Sequence, residues 1–583
     1  MARTRPRSIS GARGAGLLAV AWVCLLTALP ATSVAREPLV DGPVVWYAAD
    51  REPSEVPAAG EPGLVPYAVD SFVGRPFSRF WHPGRFFRWL GTGDRVQRAA
   101  NVNPLDEVVN STWFNNRIGT RTLTDAELVA GPAHGLPLVA GPDRSRPWTI
   151  IGAKTAGVTP GFRIKDARGD VWLLKFDPPH HPGMTIRSGV VVNLLFHAMG
   201  FNTPVDRLVV FDRDELVVGE GAQMRVGREG RVPMTEANLD SILAATESVF
   251  DGRFHALASR YLDGVPLGPF DDQGRRADDP NDTIRHQDRR ELRALKVFGA
   301  WVNHFDTKMH NSLDMYVGEP GKGFVRHHLI DFASTLGAYG DQPVRRFGFE
   351  YGFDVFPITG RLLTLGFRED KWVNLERPAG LDEIGLLDVE LFEPQDWKPD
   401  LPHSGMANLT RLDGYWAAKI VSAFTDRQLR LIVEQARYQN PDAADFLVRT
   451  LAGRRDKIAR YWFDRVPPLD YFKVEPQGLV FHDLAVERGY AAATSTRYRY
   501  RTAAVDSGRG VQGDPGWTPW VEVATTVLPI LGADGRLRAD IPRGDDSHRF
   551  LAVEVQLNRG NRWSASTTVY GAYGSGRIVA LDR

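Results

Sequence analysis

The sequence predicts an α+β protein of several domains: a strand-rich segment, a helical segment, and a C-terminal all-β, sandwich-like domain. Three observations predict it. Between Ile151 and Val218 the pattern runs strand, turn, strand, helix, strand. From Arg289 onward Leu292, Leu295, Phe298 and Val302 recur at helical spacing, and further helical stretches follow. After Pro467-Pro468 the composition shifts to short alternating runs separated by Gly- and Asp-rich turns. At 583 residues the chain is too long for one compact domain.

Residues 1–35 read as a signal peptide. Arg3, Arg5, Arg7 and Arg13 precede an apolar stretch from Leu17 to Ala31, and Ser33-Val-Ala35 places small residues at both cleavage positions. The stretch is shorter than the ~20 residues a spanning helix needs, and no later segment is long and apolar enough to span a membrane. Residues 36–150 read as an irregular extension packed on the core, rich in Pro, Gly and aromatics, with one capped helix at Thr124-Asp-Ala-Glu127. Residues 151–285 supply the strand-rich region. Phe162–Lys165 and Val171–Phe176 flank the turn Asp166-Ala-Arg-Gly169; a helix over about Thr185–Met199 ends at Gly200; Leu208–Phe211 and Glu215–Val218 read as a further pair of strands. Residues 286–467 are mostly helical, with helices expected at 408–423, 426–438 and 441–463 and a short strand at His328–Ile330. Residues 468–583 form the β-domain, where Leu551, Val553, Val555 and Leu557 alternate with smaller or polar residues and predict one buried face.

Composition excludes several classes. Lys+Arg and Asp+Glu are both 71, and beyond the first 35 residues the balance is net −4, so no basic field exists to drive nucleic-acid binding. The single cysteine, Cys24, excludes a disulfide framework and a Cys-based zinc site. There is no His-Glu-x-x-His and no Gly-x-Ser-x-Gly, so hydrolase chemistry has no motif. His180-His181 and His327-His328 read as surface or packed imidazoles. Trp113, Trp301, Trp416 and Trp462 read as core, and Trp517 and Trp520 as sandwich-edge packing. Only 11 of the 71 basic residues are Lys, so each Lys invites inspection.

One constellation carries chemistry. His304-Phe-Asp306-Thr-Lys308-Met-His-Asn311 has the spacing of a protein-kinase catalytic loop, and Asp331-Phe-Ala333 follows a strand where the metal-holding Asp-Phe-Gly belongs. The 20-residue interval from Asn311 to Asp331 leaves room for a hairpin whose tip is Val317–Phe324. Upstream, Gly152-Ala-Lys154-Thr-Ala-Gly157-Val-Thr-Pro-Gly161 is a glycine-spaced segment whose backbone N–H groups suit phosphate oxygens. Lys175 sits inside the apolar strand Trp172–Phe176, where a buried ammonium requires an anionic partner. The helix expected to supply a Glu for that Lys contains no carboxylate, and Asp177 is the nearest acid in sequence.

These residues resemble a family of uncharacterised exported bacterial proteins with a protein-kinase-like core. The similar stretches are Asn101–Glu107, Trp113–Ile118, Gly157–Phe162, Leu174–Pro179, Ala258–Tyr261, Asp278–Asp282, Arg289–Arg293 and Asp331–Gly337, within about residues 100–470. More distantly, the order Lys, Asp, Asn, Asp is similar to HipA-type, CotH-type and eukaryotic secreted kinases. The resemblance implies a two-lobed kinase-like core, with residues 151–285 as a nucleotide-binding lobe and 286–467 as a catalytic lobe. The sequence departs from the family pattern at Val190, where a Glu stands in the family, and at Ala333, where a Gly does.

The expected activity is therefore that of an exported kinase-like phosphotransferase in the periplasm or outside the cell. Asp306 and Lys308 would be catalytic; Lys154, Gly157 and Lys175 would bind the nucleotide; Asn311 and Asp331 would hold Mg²⁺ or Mn²⁺ with ATP. The acceptor, a protein, lipid or glycan, is unspecified. The alternative is a catalytically inactive kinase fold serving as a binding or adhesion protein of the cell envelope.

Overall fold

The computed structural model describes residues 37–583, apart from 61–62, 81, 93–95, 155–159, 178–179, 227–229, 247–248, 341–342, 366, 368, 513–515, 539 and 543–548. The proposed signal peptide, with Cys24, and Gly157 lie outside the described residues. The architecture is mixed α+β.

The extension is less irregular than its composition suggests. Helices α1 (Leu64–Val69), α2 (Arg75–Phe80) and α3 (Pro83–Thr92) occupy its middle, and α4 (Asp125–Ala130) carries the expected capping box between Thr124 and Glu127. Strands β1 (Trp148–Ala153), β2 (Gly161–Lys165) and β3 (Val171–Lys175) follow. Trp148 and Ile150, Phe162 and Ile164, and Trp172 and Leu174 are all buried, so alternation puts one apolar face of each strand into a common core. Asp166 closes the β2–β3 turn by accepting from the backbone N–H groups of Arg168 at 3.0 Å and Asp170 at 2.9 Å.

Helix α5 (Met184–Met199) is buried at fifteen of its sixteen positions, as its almost continuous apolar sequence requires. Asp177 starts it, accepting from the N–H groups of Gly183 (2.7 Å), Thr185 (2.9 Å) and Ile186 (3.0 Å). Beyond it lie β4 (Asp206–Phe211), β5 (Leu216–Val226), β6 (Gly230–Pro233), α6 (Glu236–Ala244), β7 (Val249–Phe250), β8 (Arg253–Arg260) and β9 (Val265–Gly268). The first eight strands form one sheet, ordered β4-β8-β3-β2-β1-β5-β6 with β7 beside β8. The expected strands at Leu208–Phe211 and Glu215–Val218 are present as β4 and the start of β5; β4 pairs with β8, and β5 runs parallel to β1, with the Arg213–Glu215 turn between them.

Helix α7 (Arg290–Val302) leads into a loop and the hairpin β10 (Ser312–Val317) and β11 (Phe324–Leu329). Then come α8 (Val355–Leu363), α9 (Arg411–Val421), α10 (Asp426–Glu434) and α11 (Pro441–Phe463). Leu292, Leu295, Phe298 and Val302 of α7 are buried, but so are Arg290, Glu291 and Arg293. The charged face of α7 is not a solvated face: Arg290 pairs with Asp106 at 2.8 Å and with Asp413 of α9 at 3.0 Å, and Arg293 reaches Asp413 at 3.4 Å.

The C-terminal region consists of β12 (Leu469–Glu475), β13 (Gly478–Asp483), α12 (Leu484–Glu487), β14 (Thr496–Val505), β15 (Val521–Val523), β16 (Val527–Leu528), β17 (Phe550–Arg559), β18 (Thr567–Ala572) and β19 (Ile578–Asp582). A three-stranded sheet, β12-β13-β16, and a five-stranded sheet, β15-β14-β17-β18-β19, enclose one hydrophobic cluster. Leu551, Val553, Val555 and Leu557 lie in that cluster, while Glu554 and Gln556 meet Arg501 (2.6 Å) and Arg499 (2.8 Å) across the strand pair. The guanidinium of Arg501 stands 4.7 Å from the rings of both Trp517 and Trp520, so these tryptophans pack at the sheet edge.

Removing Asp413 should unbalance the α7–α9 contact. Asp413→Ala leaves two fully buried guanidinium groups short of a counter-charge and should lower unfolding free energy by about 3–5 kcal/mol, measured by denaturant titration.

Candidate active site

The site is built on one face of the large sheet and on the loop that follows α7. Side chains of residues directly opposite in paired strands share a face. Lys154 at the end of β1 donates its N–H to Gly161 of β2 at 2.8 Å, and Gly161 pairs with Lys175 of β3. Lys175 pairs with Leu257 of β8, and Ser259, two residues on, pairs with Asp206 of β4. Lys175 and Asp206 thus lie on the same face, on either side of β8. Gly161 is required between the lysines: a Cβ there would stand 3.3 Å from Lys154 Cδ and 2.2 Å from the Leu174 carbonyl oxygen.

The loop is shaped by its own polar groups. Asn303 ends α7 with a left-handed backbone (φ 49°), and Asn311 donates from Nδ2 to the Asp306 carbonyl at 2.7 Å. Lys308 Nζ pairs with Asp306 Oδ1 at 2.8 Å. The Asn311 carbonyl accepts the N–H of Ile330 at 2.9 Å, which fixes the residue preceding Asp331 at the base of the β10–β11 hairpin. Asp331 itself has φ 58°, a left-handed conformation that a non-glycine residue adopts only under constraint.

The two halves meet in an ion pair: Lys175 Nζ stands 3.0 Å from Asp331 Oδ1. Lys175 attracts the carboxylate and holds the Asp331 acid down to about 2. Lys154 lies close enough to both for its ammonium to be lowered to about 8, by burial first and by Lys175 second. Asp206 is 2% exposed, with Oδ1 lacking a hydrogen-bond partner, and burial raises its acid to about 6. His304 is buried against Phe196 of α5 (5.6 Å) and Phe332 (5.5 Å) and feels the charges of Asp306, Asp331 and Lys308 together. Burial lowers its imidazolium to about 4, so it is a neutral, packed group at physiological pH.

The structure therefore brings together Lys154, Lys175 and Asp331, and beside them the loop holding Asp306, Lys308 and Asn311. It does not bring Asp177 to Lys175, because that carboxylate is consumed by the start of α5. Gly189 of α5 faces the Asp331–Ala333 segment: a Cβ on it would lie 3.1 Å from Leu257 Cδ2 and 3.8 Å from the Ala333 nitrogen, while Val190 is packed in the main core. Sequence reasoning missed Asp206, which carries no local motif. Its only signal is an acid at the start of a strand that turns apolar from Leu208. His327 and His328 are packed, His327 Nδ1 lying 2.6 Å from Asp314 and its ring stacked on Trp113.

Among the described residues no cluster of three or more His, Cys, Asp or Glu forms a self-sufficient metal site. Asp331 and Asn311 carry side-chain oxygens of the type a hard cation such as Mg²⁺ takes, which commonly uses one or two protein oxygens and completes its shell with water and phosphate. Comparison of the chain with family models, curated proteins and solved structures finds no match.

Asp206 generates a pH prediction. Its folded acid titrates at about 6 against an ordinary 3.8, so the native state binds the extra proton between those values and loses stability as pH rises through that window. Asp206→Asn should gain on wild type by roughly 1–3 kcal/mol as pH goes from 4 to 7, measured by denaturant unfolding. A constant difference would assign the carboxyl an ordinary titration.

Proposed function

We propose that the protein is a kinase-like phosphotransferase, exported by its N-terminal segment, that moves the γ-phosphate of a nucleotide to an acceptor hydroxyl. The observation that carries this reading is the Lys175–Asp331 pair, which joins a sheet lysine to an acid held in a left-handed backbone at the base of a hairpin. Lys175 and Lys154 present two ammonium groups on one sheet face, suited to the charge of a polyphosphate. Asp331 and Asn311 would hold the divalent cation, which when bound neutralises phosphate charge. Asp306 orients the acceptor hydroxyl and takes its proton, and Lys308, already paired with Asp306, offsets charge on the transferred group.

Lys175 has no helix carboxylate, but it is not short of anions. Asp331 and Asp206 both raise its affinity for a proton, so it stays charged although the strand around it is apolar. The alternative, an inactive binding protein of the cell envelope, is favoured by the absence of any carboxylate on α5. Nucleotide affinity separates the two.

In calorimetric titrations with MgATP, Asp331→Ala should weaken metal-dependent binding at least about tenfold, because the cation loses its only charged protein ligand. Asp306→Ala should leave binding unchanged and lower transfer by about 10²–10⁴-fold. Metal-dependent binding that survives Asp331→Ala unaltered would remove the metal assignment. Affinity should also fall as pH rises past 8, where Lys154 loses its proton, and Lys154→Met should flatten that profile.

A further inference from the structure

Sixteen of the thirty exposed large apolar side chains among the described residues fall in just two segments, 64–90 and 353–367. The segments touch: Phe72 and Phe353 meet edge to face at 6.1 Å. Both are inverted relative to an ordinary surface helix. The single charged residue of α8, Arg361, is turned inward to Asp370 at 2.6 Å and to Glu350, while Phe356 (88% exposed) and Leu363 (80%) face outward. At the start of α2, Arg75 is buried and pinned between Asp70 (2.6 Å), Asp271 (2.9 Å) and Asp272, while Phe77 is 67% exposed. Arg75 and Arg361 are thus spent on carboxylates of the protein, while the apolar groups face outward. An exposed apolar patch of this extent marks an interaction surface.

The patch adjoins the acceptor side of the candidate site. Tyr67 of α1 accepts the Met309 N–H at 3.4 Å and packs against His310 at 5.9 Å, inside the loop that carries Asp306. On the other flank Phe305 O accepts from Asp400 N at 2.8 Å, and Asp400 O accepts from Gly352 N at 2.7 Å, one residue before the second segment.

We propose that this patch docks on an anionic lipid bilayer and that the acceptor is a membrane amphiphile with a free hydroxyl, delivered to Asp306 at the bilayer surface. Charge selects the occupant. Segment 64–92 holds four Arg and one acid, Asp70, already spent on Arg75. The partly exposed Arg79 and Arg85 are near enough for their charges to repel, and they suit lipid phosphates, whereas a two-fold partner of the same chain would oppose like charge with like. The acceptor assignment rests on the phosphotransfer reading. In the step, the amphiphile's hydroxyl oxygen bonds to the γ-phosphorus and the bond to the β–γ bridging oxygen breaks. The hydroxyl proton passes to the Asp306 carboxylate, and nucleoside diphosphate leaves.

The test is co-sedimentation of the chain from Arg36 onward, which holds every described element, with phosphatidylcholine vesicles containing about 30% phosphatidylglycerol. Wild type should pellet, and the triple variant Phe356→Asp/Leu363→Asp/Phe367→Asp, with thermal unfolding matched to wild type, should lose at least about tenfold in partitioning. Wild type left in the supernatant, or a variant that pellets equally, overturns the membrane surface. A wild-type dimer that the variant disperses overturns it too, making the patch a protein interface. The arms separate the two readings. MgATP binding without vesicle binding overturns the membrane surface and leaves the phosphotransfer reading standing; vesicle binding without MgATP binding overturns the phosphotransfer reading, and the acceptor assignment with it, and leaves the membrane surface standing. Transfer of phosphate from MgATP to the phosphatidylglycerol hydroxyls, lost in Asp306→Asn while vesicle binding persists, is the positive result.

Discussion

A buried network of four acids and four bases holds the protein's parts in register. Arg290 and Arg293 of α7 meet Asp106 and Asp413; Lys419 of α9 lies between Glu107 and Asp470, the latter at 3.2 Å; Arg583 reaches Asp470 at 2.9 Å and Asp106 at 3.7 Å. The eight come from five stretches of chain, namely the extension, two helices, the first strand of the β-region and the segment after its last, and every pair joins two different ones. Charges this deep are costly to dehydrate, and they persist only when each is matched and hydrogen-bonded. Tyr415 donates to Asp470 at 2.8 Å and Trp416 to Glu107 at 3.1 Å, completing the carboxylates' coordination. The mutual pull holds the Lys419 ammonium well above its ordinary range and the Asp470 acid well below its own.

The candidate site inherits its geometry from this network. Fixing the N-terminal end of α7 fixes its C-terminal end, where Asn303 releases the chain into the Asp306–Asn311 loop. The main core then joins α7 to α5 through Phe298, Phe201 and Phe196, and Phe332 packs on Phe196 at 5.0 Å. Phe332 thereby anchors the segment that presents Asp331 to Lys175. Several stretches that suggested the family resemblance serve this framework rather than the site. Asn101–Glu107 and Arg289–Arg293 supply network members, and Asn101 accepts the Arg290 N–H at 2.8 Å.

The site and the outward-facing apolar patch share one loop. Tyr67 couples the helices of the extension to Met309 and His310, and Asp400 couples the other segment to Phe305. The patch therefore adjoins the loop that carries Asp306, while Lys154 stands beside the Lys175–Asp331 pair.

Local pattern alone determined much of the secondary structure. The 2-residue alternation of Leu551–Leu557, the 3.6-residue stripe of α7, the Thr124 and Asn440 caps and the turn at Asp166 each follow from forces acting within a few residues. The spacing of Asp306, Lys308 and Asn311 likewise marks one loop, because its hydrogen bonds are internal to it. Tertiary structure decided what depends on distant partners. Leu208–Phe211 and Glu215–Val218 read as strands without naming their neighbours; the sheet sets them beside β8 and β1, since pairing is decided by which apolar faces share a core. The charges of α7 carry no local sign of burial, yet they are buried, because the acids that match them lie up to 184 residues away in sequence. Asp206 has no signature, and its strand register across β8 alone puts it on the face of Lys175. A sequence records which side chains seek partners within a turn or two; which charges find each other across hundreds of residues is settled only when the core closes and removes water from between them.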